Sequence, residues 1–142
     1  MSELGRISID FSYKFRDFKF SDEFLLRGTY KPKVNWTKIQ FQHFIDILGY
    51  HLISPNERKI RFHFRLVMRP DLGEINFDGE CILESPELYK IEFLIKNKPQ
   101  PIRKIIDTFI LKNSYYNAEK FTKKENFLFP SAKEILKRFG IN

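Results

Sequence analysis

Residues 59–69, KIRFHFRLVMR, alternate strictly as far as Leu66, and Met68 keeps the phase. Ile60, Phe62, Phe64, Leu66 and Met68 are apolar, and Lys59, Arg61, His63 and Arg65 stand between them. Successive side chains of a strand point to opposite faces, so this segment must be a strand with one face in a core and the other in water. A chain built around it needs partner strands and a cover for the apolar face. INFDGECILE (75–84) is one partner, because Ile75, Phe77, Cys81 and Leu83 keep the same phase. PDLG (70–73) turns the chain between the two, with Gly73 available for a positive φ.

Other segments have the same period. Ile7, Ile9, Phe11, Tyr13 and Phe15 alternate with polar residues, and then the phase slips. Phe18 and Phe20 rejoin that face only if one extra residue sits near Asp17, which predicts a β-bulge. Gly28 and Pro32 break the strand. Val34–Ile53 is mixed: IQFQHF alternates, whereas FIDILGYHLI fits a helix or a second strand after a bend at Gly49, so strand is expected for at least the first half. After SPE, LYKIEFLIKN (88–97) reads as a further strand with Tyr89, Ile91, Phe93 and Ile95 on one face. The breaks are short, which favours antiparallel pairing.

Beyond Pro99 and Pro101 the period changes to 3.6. Ile102, Ile105, Ile106, Phe109, Ile110 and Tyr116 form a helical stripe, and the helix runs to about Lys124. NFLFPSAKEIL (126–136) then opens a short helix, with Pro130 suited to its first turn, Ile135, Leu136 and Phe139 on one face, and Gly140 as a stop. Phe127 and Phe129 ahead of it need an apolar surface, either the sheet or the long helix. The expected fold class is α+β: an antiparallel sheet of about four strands followed by a long and a short C-terminal helix packed on one face. The chain reads as one domain, 1–142, with 1–6 as a flexible start.

Sixteen phenylalanines stand against one tryptophan. A small sheet does not easily hide them all, which points to oligomerisation or to apolar ligands. The net charge is +7. Its basic runs, Lys31/Lys33, Arg58–Arg61, Lys120–Lys124 and Lys133–Arg138, read as a solvated surface, with nucleic acid as the alternative partner. The lone Cys81 excludes an internal disulfide and fits a reducing cytoplasm. No apolar run reaches the roughly 18 residues of a membrane span, and there is no signal-peptide pattern, so membrane insertion is not expected.

Little in the sequence suggests catalysis. His43, His51 and His63 do not stand at metal-ligand spacings. There is no glycine-rich phosphate loop and no GxSxG, and no cofactor is expected. His63 reads as a solvated surface histidine, Cys81 as a buried structural thiol, and Glu80, Glu84, Glu87 and Glu92 as surface charge. The aromatic first strand stands out. Phe11, Tyr13, Phe15, Phe18 and Phe20 fit a core strand with a dimer seam, or a groove for extended apolar peptide, because aromatic faces accept varied apolar side chains and open strand edges pair with any backbone. Basic residues among them also permit a single-stranded nucleic-acid platform.

Several short motifs carry a resemblance. LFPSAKE (128–134) is similar to the LFPYARE segment that opens the last conserved helix of the SecB-type export chaperones. DLGE with FDGECILE (71–84) resembles that family's LGE turn and the strand after it, YKPKVNW (30–36) its Trp–Gln–Pro–Glu–Val–Lys segment, and YKFRDFKF (13–20) its first strand. The resemblance covers roughly residues 11–139. It implies an ATP-independent holdase for unfolded or extended polypeptide, without enzymatic activity, assembled as a homo-oligomer (dimer, or tetramer as a dimer of dimers). An antitoxin is a further client it admits, since SecB-like antitoxin chaperones share the pattern. The peptide-binding residues it points to are Phe11, Tyr13, Phe15, Phe18, Phe20, Phe127 and Phe129. The chain departs from the family in three ways: it is basic where members are acidic, it ends at Asn142 without the mobile tail, and its Lys96–Leu128 segment is longer. A partnership with the SecA motor, which meets an acidic face, is therefore not implied.

Overall fold

The computed structural model describes residues 12–28, 35–94 and 100–141. Four strands, β1 (Lys14–Arg27), β2 (Gln40–Ser54), β3 (Glu57–Arg69) and β4 (Gly73–Glu84), precede three helices, α1 (Leu88–Leu94), α2 (Gln100–Lys124) and α3 (Ala132–Arg138). The sheet is antiparallel in the order β1-β4-β3-β2. β1 and β2 are therefore its two edges, and residues 28–39 join one edge to the other. Among the described residues no helix is long and apolar enough to cross a membrane.

The alternation of β3 appears as expected. Ile60, Phe62, Phe64, Leu66 and Met68 are buried beneath the helices, together with Ile75, Phe77, Cys81 and Leu83 of β4. Gly79 stands between Phe77 and Cys81 because a side chain there has no room. A Cβ would lie 2.5 Å from the Phe62 ring and 2.8 Å from the Lys19 carbonyl oxygen. Gly73 turns into β4 at φ 149, where a Cβ would meet the Leu26 carbonyl at 2.7 Å. β2 is strand throughout Gln40–Ser54, and the bend expected at Gly49 is a register shift between Ile47 and Gly49.

In three places the sequence reading is corrected. Residues 88–94 are helix α1, not a fifth strand. Ser85 starts it: its hydroxyl accepts from the Glu87 N–H at 3.2 Å and its carbonyl from the Leu88 N–H at 3.2 Å. Leu88 and Ile91, three apart, then go into the core while Tyr89 faces water. The period-two pattern and the i, i+3 pattern coincide in so short a run, and the turn chemistry decides. Pro130 lies outside α3, because Ser131 is the N-cap and accepts from the Glu134 N–H at 3.2 Å. In α2 the buried stripe drifts from Ile102, Ile106 and Ile110 to Leu111, Tyr115, Ala118 and Thr122, leaving Tyr116 exposed. A helix of 3.6 residues per turn rotates relative to a straight track, so the face touching the sheet moves round as α2 crosses it.

Both later helices end in the same motif. Asn126 at φ 54 closes α2, with the Phe127 N–H donating to the Thr122 carbonyl at 2.9 Å. Gly140 at φ 74 closes α3, with the Ile141 N–H donating to the Leu136 carbonyl at 3.0 Å. These are left-handed Schellman caps, and the first of them sends Phe127 back toward the core. Gly79→Ala is expected to lower unfolding stability by about 1–3 kcal/mol through overpacking against Phe62; urea denaturation with an unchanged m-value checks it.

Candidate functional site

The aromatic residues singled out in the sequence fall into two groups at different places on the sheet. On β1, Asp17 adopts φ 53 and the register slips between Arg16 and Lys19, which is the expected bulge. It turns Phe18 to the same side as Phe15 and Phe20. These three rings are half-buried under α2. Phe15 stacks on Phe109 at 4.0 Å between centroids, Phe18 lies 5.5 Å from Phe62, and Phe20 lies 5.2 Å from Phe77. Tyr13 is more open and meets Phe15 edge-on at 5.9 Å. Phe11 lies outside the described residues.

Phe127 and Phe129 flank the exposed Leu128, ahead of α3. Phe127 packs on the core with the Arg27 guanidinium 5.6 Å over its ring. Phe129 goes to the β2 side. It meets Trp36 at 6.1 Å and Phe41 at 5.9 Å, both edge-on, while Trp36 and Phe41 lie nearly parallel. Beside these rings opens a pocket of about 430 Å³ lined by Ile39, Gln40, Phe41, Gln42, Arg69, Arg138 and Phe139. Arg138 holds one wall, donating to the Trp36 carbonyl at 2.8 Å and the Ile39 carbonyl at 3.3 Å, with its guanidinium 5.4 Å above Phe41. Arg69 is steadied by Gln42 at 3.1 Å. The pocket is therefore apolar at its base and cationic at its rim, and it lies where an edge strand begins.

Trp36, Phe41, Arg138 and the pocket-lining role of Phe139 were missed in the sequence reading. The one tryptophan of the chain, three residues before an alternating IQF, was the available signal. What could not be read is that Phe129, far along the chain, closes on it.

Behind the pocket, the His43 Nδ1 lies 2.9 Å from the Tyr115 hydroxyl and its ring 4.8 Å from Phe139. Burial lowers the His43 pKa and raises that of Tyr115. His63, read as solvated, is instead held on the outer face of the sheet, between Asp78 at 2.6 Å and Asn76 at 3.0 Å. Partial burial works against its charged form, but these hydrogen bonds and the charges of Asp78 and Asp46 outweigh it, so its pKa is raised. Arg58, read as part of a solvated basic run, is buried and paired with Glu92 of α1. The Cys81 thiol is buried and its pKa is pushed up to about 12, a poor nucleophile. Glu80 pairs with Lys19 and Lys59, and Glu84 with Lys14 and Arg16. No group of three metal-ligating side chains is gathered among the described residues.

No family model matches the chain, and no curated protein matches it. Among solved structures it is similar to the SecB-like chaperone Rv1957 of Mycobacterium tuberculosis, in complex with a ChAD peptide from the antitoxin HigA1 (Rv1956). That match has 10% identity over 84% of this chain and 87% of the other, with a TM-score of 0.46. A likeness at that score carries no argument about function.

Two measurements check this geometry. Phe18→Ala is expected to destabilise the fold by about 1–3 kcal/mol, less than a fully buried phenylalanine, because the ring is half-covered. In NMR titrations His43 should titrate below the ordinary histidine value and His63 above it. The two pull stability in opposite directions. The His43 contribution is complete above about 6.5 and is lost as pH falls from there through its lowered value. The His63 contribution is complete below about 6.5 and is lost as pH rises through its raised value.

Proposed function

We propose that the protein holds unfolded or extended apolar polypeptide segments without using ATP. The observation that carries this is the pocket at the start of β2, where Phe41 and Phe139 line an open cavity beside Trp36 and Phe129. An apolar client side chain placed there loses water contact, and the free edge of Gln40–Gln42 offers backbone hydrogen bonds to an extended segment. Both features accept many sequences, which suits a holdase. The aromatic row of Tyr13, Phe15, Phe18 and Phe20 forms a second apolar strip on the opposite edge, and Phe127 lies under Arg27 of the same strand. A long unfolded chain that touches both edges gains avidity without a tight single site. The motif resemblance to SecB-type chaperones supports the same reading, and an antitoxin is one client class it admits.

Several of the cations that would favour nucleic acid are already engaged. Arg138 is bound to two carbonyls, Arg65 to Glu74 and Arg16 to Glu57 and Glu84. Suppression of aggregation of a chemically unfolded client, without ATP and with little dependence on salt, is the expected result. Phe129→Ser should raise the concentration needed for half-protection several-fold while circular dichroism stays unchanged; losing one ring contact costs about 1–3 kcal/mol. Tight oligonucleotide binding with a steep salt slope, and no protection of clients, would replace this reading with a nucleic-acid one.

A further inference from the structure

Gln40–Gln42 lie on an edge strand, so an extended segment that pairs with them must alternate as they do. Phe41 is buried toward the helices, whereas Gln40 and Gln42 are exposed on the outer face of the sheet. A client residue opposite Phe41 therefore turns its side chain to the helix side, and its two neighbours turn theirs outward. The pocket has residues on both sides of the strand to receive them. Phe41 and Phe139 form the apolar side, and Gln40, Gln42 and Arg69 the outer one. The strand is also open to such pairing. Asp46 is the only Asp, Glu, Lys or Arg in Gln40–Ser54, whereas β1 carries the charges that normally blunt an edge, from Lys14 to Arg27.

The two sides differ in charge as well as in polarity. Arg16, Arg58 and Arg65 are each matched by a carboxylate, from Glu57 and Glu84, from Glu92 and from Glu74. Arg69 is not. It stands on β3 opposite Gln40, yet its Nε donates to the Gln42 Oε1 at 3.1 Å, which lays the guanidinium over the outer side of β2. Its two terminal nitrogens have no hydrogen-bond partner among the described residues, and no carboxylate lines the pocket. Two free terminal nitrogens in one plane match the two oxygens of a carboxylate. Arg138, by contrast, has both terminal nitrogens on the carbonyls of Trp36 and Ile39 and adds mainly charge.

We infer that the site selects extended segments in which an apolar side chain stands directly beside an aspartate or glutamate: the apolar group enters beside Phe41 and Phe139, and the neighbouring carboxylate, on the outer face, binds the terminal nitrogens of Arg69. This rests on the client-holding reading and narrows it to a class of sequence. The net charge of +7 draws acidic segments from a distance, but it does not distinguish one position of the carboxylate from another. The strand alternation does.

Fluorescence anisotropy with dye-labelled, serine-rich peptides at one ionic strength reads this preference. The peptides carry a central phenylalanine flanked on both sides by glutamate, by serine or by lysine; a fourth has each glutamate moved one position outward, which turns the carboxylates to the helix side. The Glu-Phe-Glu peptide should bind about five-fold tighter than Ser-Phe-Ser. Lys-Phe-Lys should bind most weakly, and the shifted glutamates should lose most of the gain. Arg69→Gln should bring the ratio of the Glu-Phe-Glu and Ser-Phe-Ser affinities close to one, with circular dichroism as the check on folding. Lys90→Gln makes the same change of charge at an exposed position on α1, which packs over Ile60, Cys81 and Leu83, and should leave the ratio intact. The wild-type series tests the preference without any substitution. Equal binding of the glutamate and serine peptides, equal gain from adjacent and shifted glutamates, or a ratio that survives Arg69→Gln would overturn the inference and leave the client reading in place. Binding of none of the peptides would contradict the client reading and this inference together.

Discussion

The inner face of β3 has no contact with water. Ile60, Phe62, Phe64, Leu66 and Met68 form an unbroken apolar row, extended by Ile75, Phe77, Cys81 and Leu83 on β4. Such a row is stable only if it is covered along its length. Among the described elements only α2, 25 residues and about 37 Å long at about 1.5 Å per residue, can do this. The drift of its buried stripe, from Ile102–Ile106–Ile110 to Leu111–Tyr115–Ala118, follows from laying one helix over two patches of core. α1 adds Leu88 and Ile91 over Ile60, Cys81 and Leu83, and α3 closes the end where Phe41, Leu66, Met68 and Tyr115 meet Ile135 and Leu136.

A single long helix covers the two central strands well and the edges badly. The phenylalanine surplus therefore lies at the edges. On β1 it is half-tucked beneath Phe109, and the charges between the rings keep the strand soluble. On β2 it is left open, first at the pocket lined by Phe41 beside Trp36 and Phe129, then as the bare run from Phe44 to Ile53. The outer face carries a different pattern. Acidic Glu74, Asp78, Glu80 and Glu84 on β4 lie between basic residues of β1 and β3, and the pairs Arg65–Glu74, His63–Asp78, Lys59–Glu80 and Arg16–Glu84 knit it together. Much of the positive charge on the sheet is thereby neutralised in place and not presented to a polyanion.

How much of this was legible in the sequence depended on how local the deciding interaction is. The strands β3 and β4, the bulge at Asp17, the long helix and the stop at Gly140 follow from period and turn chemistry within a few residues, and all are present. α1 is not legible because Leu88–Leu94 is too short for its period to speak, and the Ser85 turn decides the outcome. Pro130 suits a first helical turn, but Ser131 beside it caps α3 by accepting from the Glu134 N–H and so leaves the proline outside. The pocket was illegible for another reason. Trp36 and Phe129 lie far apart in the chain and meet only through the packing of the segment before α3 against the start of β2, which no local pattern encodes.

Trp36 is the only tryptophan in the chain and stacks on Phe41, which lines the proposed client site, so its fluorescence tests the central claim directly. Titrating the protein with an unfolded client that contains no tryptophan should move the Trp36 emission to shorter wavelength, saturably, and Phe129→Ser should shift the midpoint to higher client concentration. A client that binds, by an independent measure such as light scattering or gel filtration, while Trp36 emission stays unchanged would place the binding surface elsewhere and contradict the account.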